Sequence, residues 1–169
     1  MLDPAAISDE MLAILDRTGA QYHAYRHRPV LSYEDAEAVG REQGWSGTEG
    51  KVVVCRADDG YAVYVTRQGE RLDQRAMKRA LGVRKLRVAS ADELRAGFAA
   101  EPGAAYPFGF AAEVPILVDP AIYDEDWLLF SAALPTVTLR IRGRDLRRLF
   151  AGLANHVSEL PSAASGEQG

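Results

Sequence analysis

The chain is predicted to form a single mixed α/β domain, on three observations. Its 169 residues are enough for one hydrophobic core. Hydrophobic residues make up 47% and charged residues 26%, which excludes a disordered, collagen-like or disulfide-scaffold chain. Capped amphipathic segments alternate with short apolar ones, with no internal repeat and no linker long enough to divide the chain. The domain is placed at residues 1–160, and the small polar stretch from Pro161 to Gly169 reads as a disordered tail.

The elements follow from local signals. A first helix is expected over Ser8 to Arg17, with Ser8 as cap, Met11, Leu12, Ile14 and Leu15 as its apolar face, and Gly19 beyond its end. Tyr22 to His27 alternates as a strand does, and Pro29 closes it. Ser32 and Asp35 resemble a capping box for a helix to about Glu42. Gly44, Gly47 and Gly50 read as a loose loop that delivers Lys51 to the apolar run Val52 to Cys55. Asp58-Asp59-Gly60 signals a hairpin into a strand over Tyr61 to Thr66. A helix over Asp73 to Leu81 ends at Gly82, a strand follows at Lys85 to Ala89, and Ser90 with Glu93 opens a helix to about Ala99. Two prolines and two glycines between Glu101 and Gly109 forbid a regular element there. Strands over Val114 to Val118, Trp127 to Ala132 and Thr136 to Ile141, then a helix from Arg144 to Leu153, complete the order.

Composition narrows the function. Cys55 is the one cysteine, so no intrachain disulfide forms and a reducing cytosol is the natural setting. No apolar run is long enough to span a bilayer, and the N-terminus carries acids where a secretory signal carries basic residues, so a membrane partner is not expected. A net charge of −4 argues against a sequence-blind nucleic-acid binder, although local basic patches remain. One patch runs from Arg71 to Arg87 and holds Arg71, Arg75, Lys78, Arg79, Arg84, Lys85 and Arg87; another runs from Arg140 to Arg148. Each reads as a phosphate-contacting surface or as a solvated helix face. Trp45 reads either as a cap over the core or as a platform for a base.

Known catalytic signatures are missing. His23 and His27 are four apart, but on a strand that spacing separates them by about 13 Å, too far for one metal ion. There is no Gly-x-Ser-x-Gly elbow, no phosphate-binding glycine loop and no dinucleotide fingerprint, so no cofactor is expected. Cys55 lies in an apolar strand and reads as a small buried hydrophobe. Two features remain. Lys51 at the start of an apolar strand could bring an amine to an edge or cavity, or simply mark the solvent end of the strand. The Gly103 to Gly109 loop could present rigid backbone to a small polar ligand, or be an ordinary connection.

Taken in order, these pieces resemble the YbaK family of aminoacyl-tRNA deacylases, the editing domain associated with prolyl-tRNA synthetase. The resemblance rests on Tyr25-Arg26-His27-Arg28-Pro29-Val30 with Ser32, on Lys51 before a valine-rich strand, and on Leu72-Asp73. It continues through Leu81 to Leu86, Gly103 to Gly109, Val114 to Asp119, Phe130-Ser131 and Thr138-Leu139. It implies a curved, partly barrel-like mixed sheet flanked by helices. It also implies a free-standing trans-editing hydrolase that removes a small amino acid, of the Ala, Ser or Cys type, from mischarged tRNA, in some cases beside a synthetase. By resemblance Lys51 is the catalytic residue, while Gly103, Pro107, Ser32, His27, Asp119 and Ser131 bind the aminoacyl end. The tRNA is expected on Arg71, Arg75, Lys78 and Arg79. Two departures stand out: Val52 where the family often has Thr or Asn, and Ala133 where it has Gly. These leave open a catalytically silent RNA-binding or regulatory module of the same fold.

Overall fold

The computed structural model describes residues 2–163. In chain order its elements are α1 (Pro4–Thr18), β1 (Tyr22–Arg26), α2 (Tyr33–Gln43), β2 (Thr48–Ala57), β3 (Gly60–Arg67), α3 (Gln74–Leu81) and β4 (Leu86–Val88). There follow α4 (Ala91–Phe98), β5 (Ile116–Val118), a 3₁₀ helix (Pro120–Asp124), β6 (Trp127–Ser131), β7 (Val137–Arg142), α5 (Gly143–Ala151) and β8 (Val157–Glu159). The strands form one open mixed sheet in the order β1-β7-β6-β2-β3-β5-β8, with β4 paired to β2 outside that path.

The longest strand, β2, organises the sheet. One edge pairs antiparallel with β3 from Gly50 to Ala57. The other edge is shared: Thr48 and Glu49 pair parallel with β6, and Cys55 to Ala57 pair antiparallel with β4. Between those two partners, residues 50–53 have no strand beside them on that edge among the described residues. The sheet therefore splits along β2, and the split positions the site described below.

Period-two patterning fixes which face each strand buries. In β7, Val137, Leu139 and Ile141 are buried while Thr138, Arg140 and Arg142 face out. Leu139 and Ile141 are fully enclosed, each contributing about 2 kcal/mol of apolar burial. In the β2-β3-β5 half, Val54, Val63, Val65, Ile116 and Val118 enter the main core with α1 and α5. The alternate residues Cys55, Ala62, Tyr64 and Leu117 face a smaller core closed by Met77 of α3. Helix α3 thus covers the opposite side of the sheet from the main core.

Several expectations are corrected. Helix α1 begins at Pro4, not Ser8, because Asp3 accepts a hydrogen bond from the Ala5 amide (3.0 Å) and proline suits the first turn. Ser8 is buried inside the helix. The glycine loop ends sooner than expected, since β2 already begins at Thr48. The 3₁₀ helix and β8 had no distinct sequence signal. Of the expected tail, Ala163 donates to the Arg71 carbonyl (3.0 Å), and residues 164–169 lie outside the described ones. Among the described residues, no helix is long and apolar enough to cross a membrane.

Candidate functional site: a cavity at the split in the sheet

A cavity of about 400 Å³ occupies the gap between β6 and β4, floored by Gly50 and Val52 to Val54 of β2. That volume suits a small organic ligand. Its walls come from four places: Ser32, Tyr33 and Ala36 at the start of α2; Pro102 to Ala105; Leu129 to Ser131 of β6; and Leu134 to Thr138 around the start of β7. Each wall has a local cause. Ser32 caps α2 by accepting from the Asp35 amide (3.1 Å), which uses an oxygen lone pair and leaves its O–H able to donate. Gly103 sits at φ +83°, and a Cβ there would lie 2.7 Å from the Leu31 carbonyl oxygen. Only glycine lets this loop close against the segment before α2. Gly50 matters for a different reason: any Cβ would collide with the Phe130 ring.

Besides Ser32, three polar groups give the largely apolar wall its chemistry. The Ser131 hydroxyl is buried and has no hydrogen-bond partner among the described residues. A buried polar atom left unpaired costs about 1–3 kcal/mol, which a polar ligand would recover. Thr138 Oγ1 lies 2.8 Å from His27 Nε2, and His27 Nδ1 lies 2.6 Å from the Arg28 carbonyl oxygen. A carbonyl can only accept, so Nδ1 carries the proton, and in the neutral ring Nε2 accepts from Thr138. The Thr138 oxygen then keeps its lone pairs for the cavity. Glu49 is the third group. Burial, reinforced by the nearby Glu37 carboxylate, pushes its carboxyl up to about 7, so near neutrality it can both take and give a proton.

A model of the aminoacyl-tRNA editing domain matches residues 27–149 of this chain. The chain belongs to the aminoacyl-tRNA editing domain family. No curated protein matches it by sequence. The editing-domain fold recurs in solved structures at low identity. The hypothetical protein APE2540 is 17% identical, with a TM-score of 0.74 over 91% of this chain and 99% of its own. A protein proposed as a trans-editing enzyme for prolyl tRNA synthetase is 18% identical, with a TM-score of 0.68 over 96% of this chain and all of its own.

In this editing domain the expected site residues divide. Ser32, Gly103 and Ser131 meet in the cavity wall. His27 stands behind the wall and touches it through Thr138. Pro107 is buried outside it, so only the first half of the Gly-x-x-x-Pro loop reaches the cavity. Asp119 stands outside the wall. It is buried away from the cavity, accepting from Thr66 Oγ1 (2.7 Å) and from the Ala121 amide as the cap of the 3₁₀ helix. Lys51 also stands outside the wall. It pairs with Thr66 across β3, and its Nζ donates to the Glu70 carbonyl oxygen (2.9 Å), so its amine is not in the cavity wall. Arg75, Lys78 and Arg79 lie on α3, with Arg71 just before it, across the sheet from the cavity. Sequence reasoning missed Glu49 and read Thr138 only as part of a motif. A glutamate beside glycines looks solvated until Glu37 and the cavity walls surround it. Ala133 has φ +71°, so the departure from glycine at that position keeps the left-handed backbone glycine would supply.

Proposed function

We propose that the cavity hydrolyses the ester joining a small, uncharged amino acid of the Ala, Ser or Cys type to the 3′ end of tRNA. The observation that carries this reading is Glu49, an acid with its ionisation near 7, in a cavity that also holds the unpaired Ser131 hydroxyl. In the ionised form Glu49 takes a proton from water as the water oxygen bonds to the acyl carbon. The ester C–O bond then breaks, and the proton passes to the departing ribose oxygen. The Ser131 and Ser32 hydroxyls are the donors available to the developing oxyanion, and the Thr138 oxygen is the acceptor available to the α-ammonium. His27 acts as a positioning residue that fixes the Thr138 hydroxyl. The wall supports the choice of acyl group, because Val52, Val54, Ala89 and Ala104 leave room for a short side chain and offer it no charge partner. The chain then works on its own in trans, in a reducing compartment, with a synthetase as an optional partner.

The second reading, a binding module without turnover, is favoured by one observation: the family-matched lysine amine is bonded to Glu70 rather than presented to the cavity. Single-turnover assays on a panel of mischarged tRNAs separate the two. Deacylation of small-residue substrates that falls at least a hundredfold in Glu49→Gln supports hydrolysis. Binding of the same tRNAs with no deacylation by the unaltered protein makes the cavity a recognition site only.

A further inference from the structure

The outward face of β1, β7 and β6 carries a line of rings that begins outside the cavity and runs into it. Strand register places His23 opposite Arg140, Tyr25 opposite Thr138 and Trp127 opposite Arg142, all on the face turned away from the core. The Trp127 indole has two guanidinium carbons close to its ring centre, that of Arg140 at 4.0 Å and that of Arg142 at 4.1 Å. From Trp127 the rings continue to His23 (5.3 Å), Tyr25 (6.2 Å from His23), Trp45 (4.8 Å from Tyr25) and His27 (5.6 Å from Trp45). Arg140 also donates to Ser46, Nη2 reaching Oγ at 3.2 Å and Nε reaching the backbone carbonyl, which anchors the loop carrying Trp45. The line ends at the cavity, because Trp45 is in its wall and His27 holds Thr138. Among the described residues neither Arg140 nor Arg142 is ion-paired to a carboxylate.

We propose that this face is the track on which the unpaired 3′ strand of tRNA lies as its aminoacyl end enters the cavity. Flat rings interleaved with arginines match single-stranded RNA, whose bases stack on aromatic or guanidinium planes while phosphates meet the cations. The chain has an acidic net charge, so a cationic aromatic strip running into an apolar cavity is a local, directional feature rather than a general one. Helix α3, the other basic surface, lies across the sheet and has no such continuity. This proposal rests on the deacylase reading for what enters the cavity, but the track itself is tested with uncharged RNA.

The chain has two tryptophans, Trp127 on this track and Trp45 where the track meets the cavity, so tryptophan fluorescence reports on a ligand lying there. The probe is an uncharged single-stranded RNA tetranucleotide ending in the tRNA 3′ sequence. It is expected to quench that fluorescence saturably, with a binding constant that weakens as salt rises. The His23→Ala, Arg142→Gln pair is expected to weaken binding at least tenfold, and Trp127→Leu likewise, each keeping a wild-type melting profile. Arg75→Gln, Lys78→Gln and Arg79→Gln together are expected to leave binding within twofold. For a hydrolytically active protein, the track variants lower kcat/KM on full tRNA and leave hydrolysis of a minimal 3′-aminoacyl-adenosine unchanged. No saturable quenching, or binding lost in the α3 variant and retained in both track variants, overturns the proposal. Saturable quenching with no hydrolysis of any aminoacyl-tRNA keeps the track and removes the deacylase reading.

Discussion

Glu49 and Lys51 stand two residues apart in β2 and end in different surroundings, because the strand changes partner between them. Glu49 still pairs with Leu129 of β6, beside the cavity, whereas Lys51 pairs with Thr66 of β3 and reaches Glu70. Sequence alone made the lysine the more visible candidate, since an isolated amine before an apolar run draws attention and an acid among glycines does not. The raised carboxyl has a consequence for stability. Between about 4.5 and about 7 the folded protein holds a proton that the unfolded chain has released, so stability falls as pH rises through that window. The loss is complete above about 7 and amounts to roughly 2 kcal/mol after allowance for the partly open cavity. Glu49→Gln is therefore expected to melt higher than the unaltered protein at pH 8 and to match it near pH 4; thermal melts at the two values check the sign. Lys51→Ala is expected to keep single-turnover deacylation within about threefold, because the amine touches a loop carbonyl and not the cavity. A loss of a hundredfold or more would show that the lysine swings into the site. Gly103→Ala must adopt φ +83° beside the Leu31 carbonyl, and is expected to cost about 2 kcal/mol in chemical denaturation and to abolish deacylation.

Among the elements, those with paired caps and clear periodicity were legible in the sequence. Ser90 and Glu93 form the full reciprocal capping box at α4, and Asp73 caps α3 by accepting from the Ala76 amide. The alternation in β7 is the one the sequence displays. Illegible elements share a cause: their pairing is long-range. Strand β8 exists because Ile116 to Val118 offers it an edge, and the 3₁₀ helix is held by Asp119, whose other partner is Thr66, 53 residues earlier. Neither has local periodicity to announce it. One cap goes against propensity. Ala99 closes α4 at φ +53°, in the left-handed region, with its amide bonded back to Arg95 and Leu94. Glycine takes that conformation without a Cβ clash, so Ala99→Gly is expected to stabilise the protein by about 1 kcal/mol, read as an upward shift in the denaturation midpoint at unchanged slope.

At the scale of the whole molecule, the split along β2 joins fold to function. The mixed α/β class and the order of most elements could be read from patterning and resemblance, whereas the sheet is open where the resemblance implies a partly barrel-like one. The cavity could not be read, because it depends on β6 and β4 meeting the same edge of β2 and leaving residues 50–53 between them without a strand on that edge. That geometry also explains why the two basic surfaces differ: one lies on the sheet half that opens into the split, the other on a helix behind it. The most direct measurement is an amide chemical-shift titration of the labelled protein with an amide-linked, non-hydrolysable analogue of 3′-alanyl-adenosine. Saturable shifts centred on Ser32, Glu49, Gly103, Ser131 and Thr138 are predicted. Shifts centred instead on Lys51, Glu70 and α3, with the split undisturbed, would contradict the account.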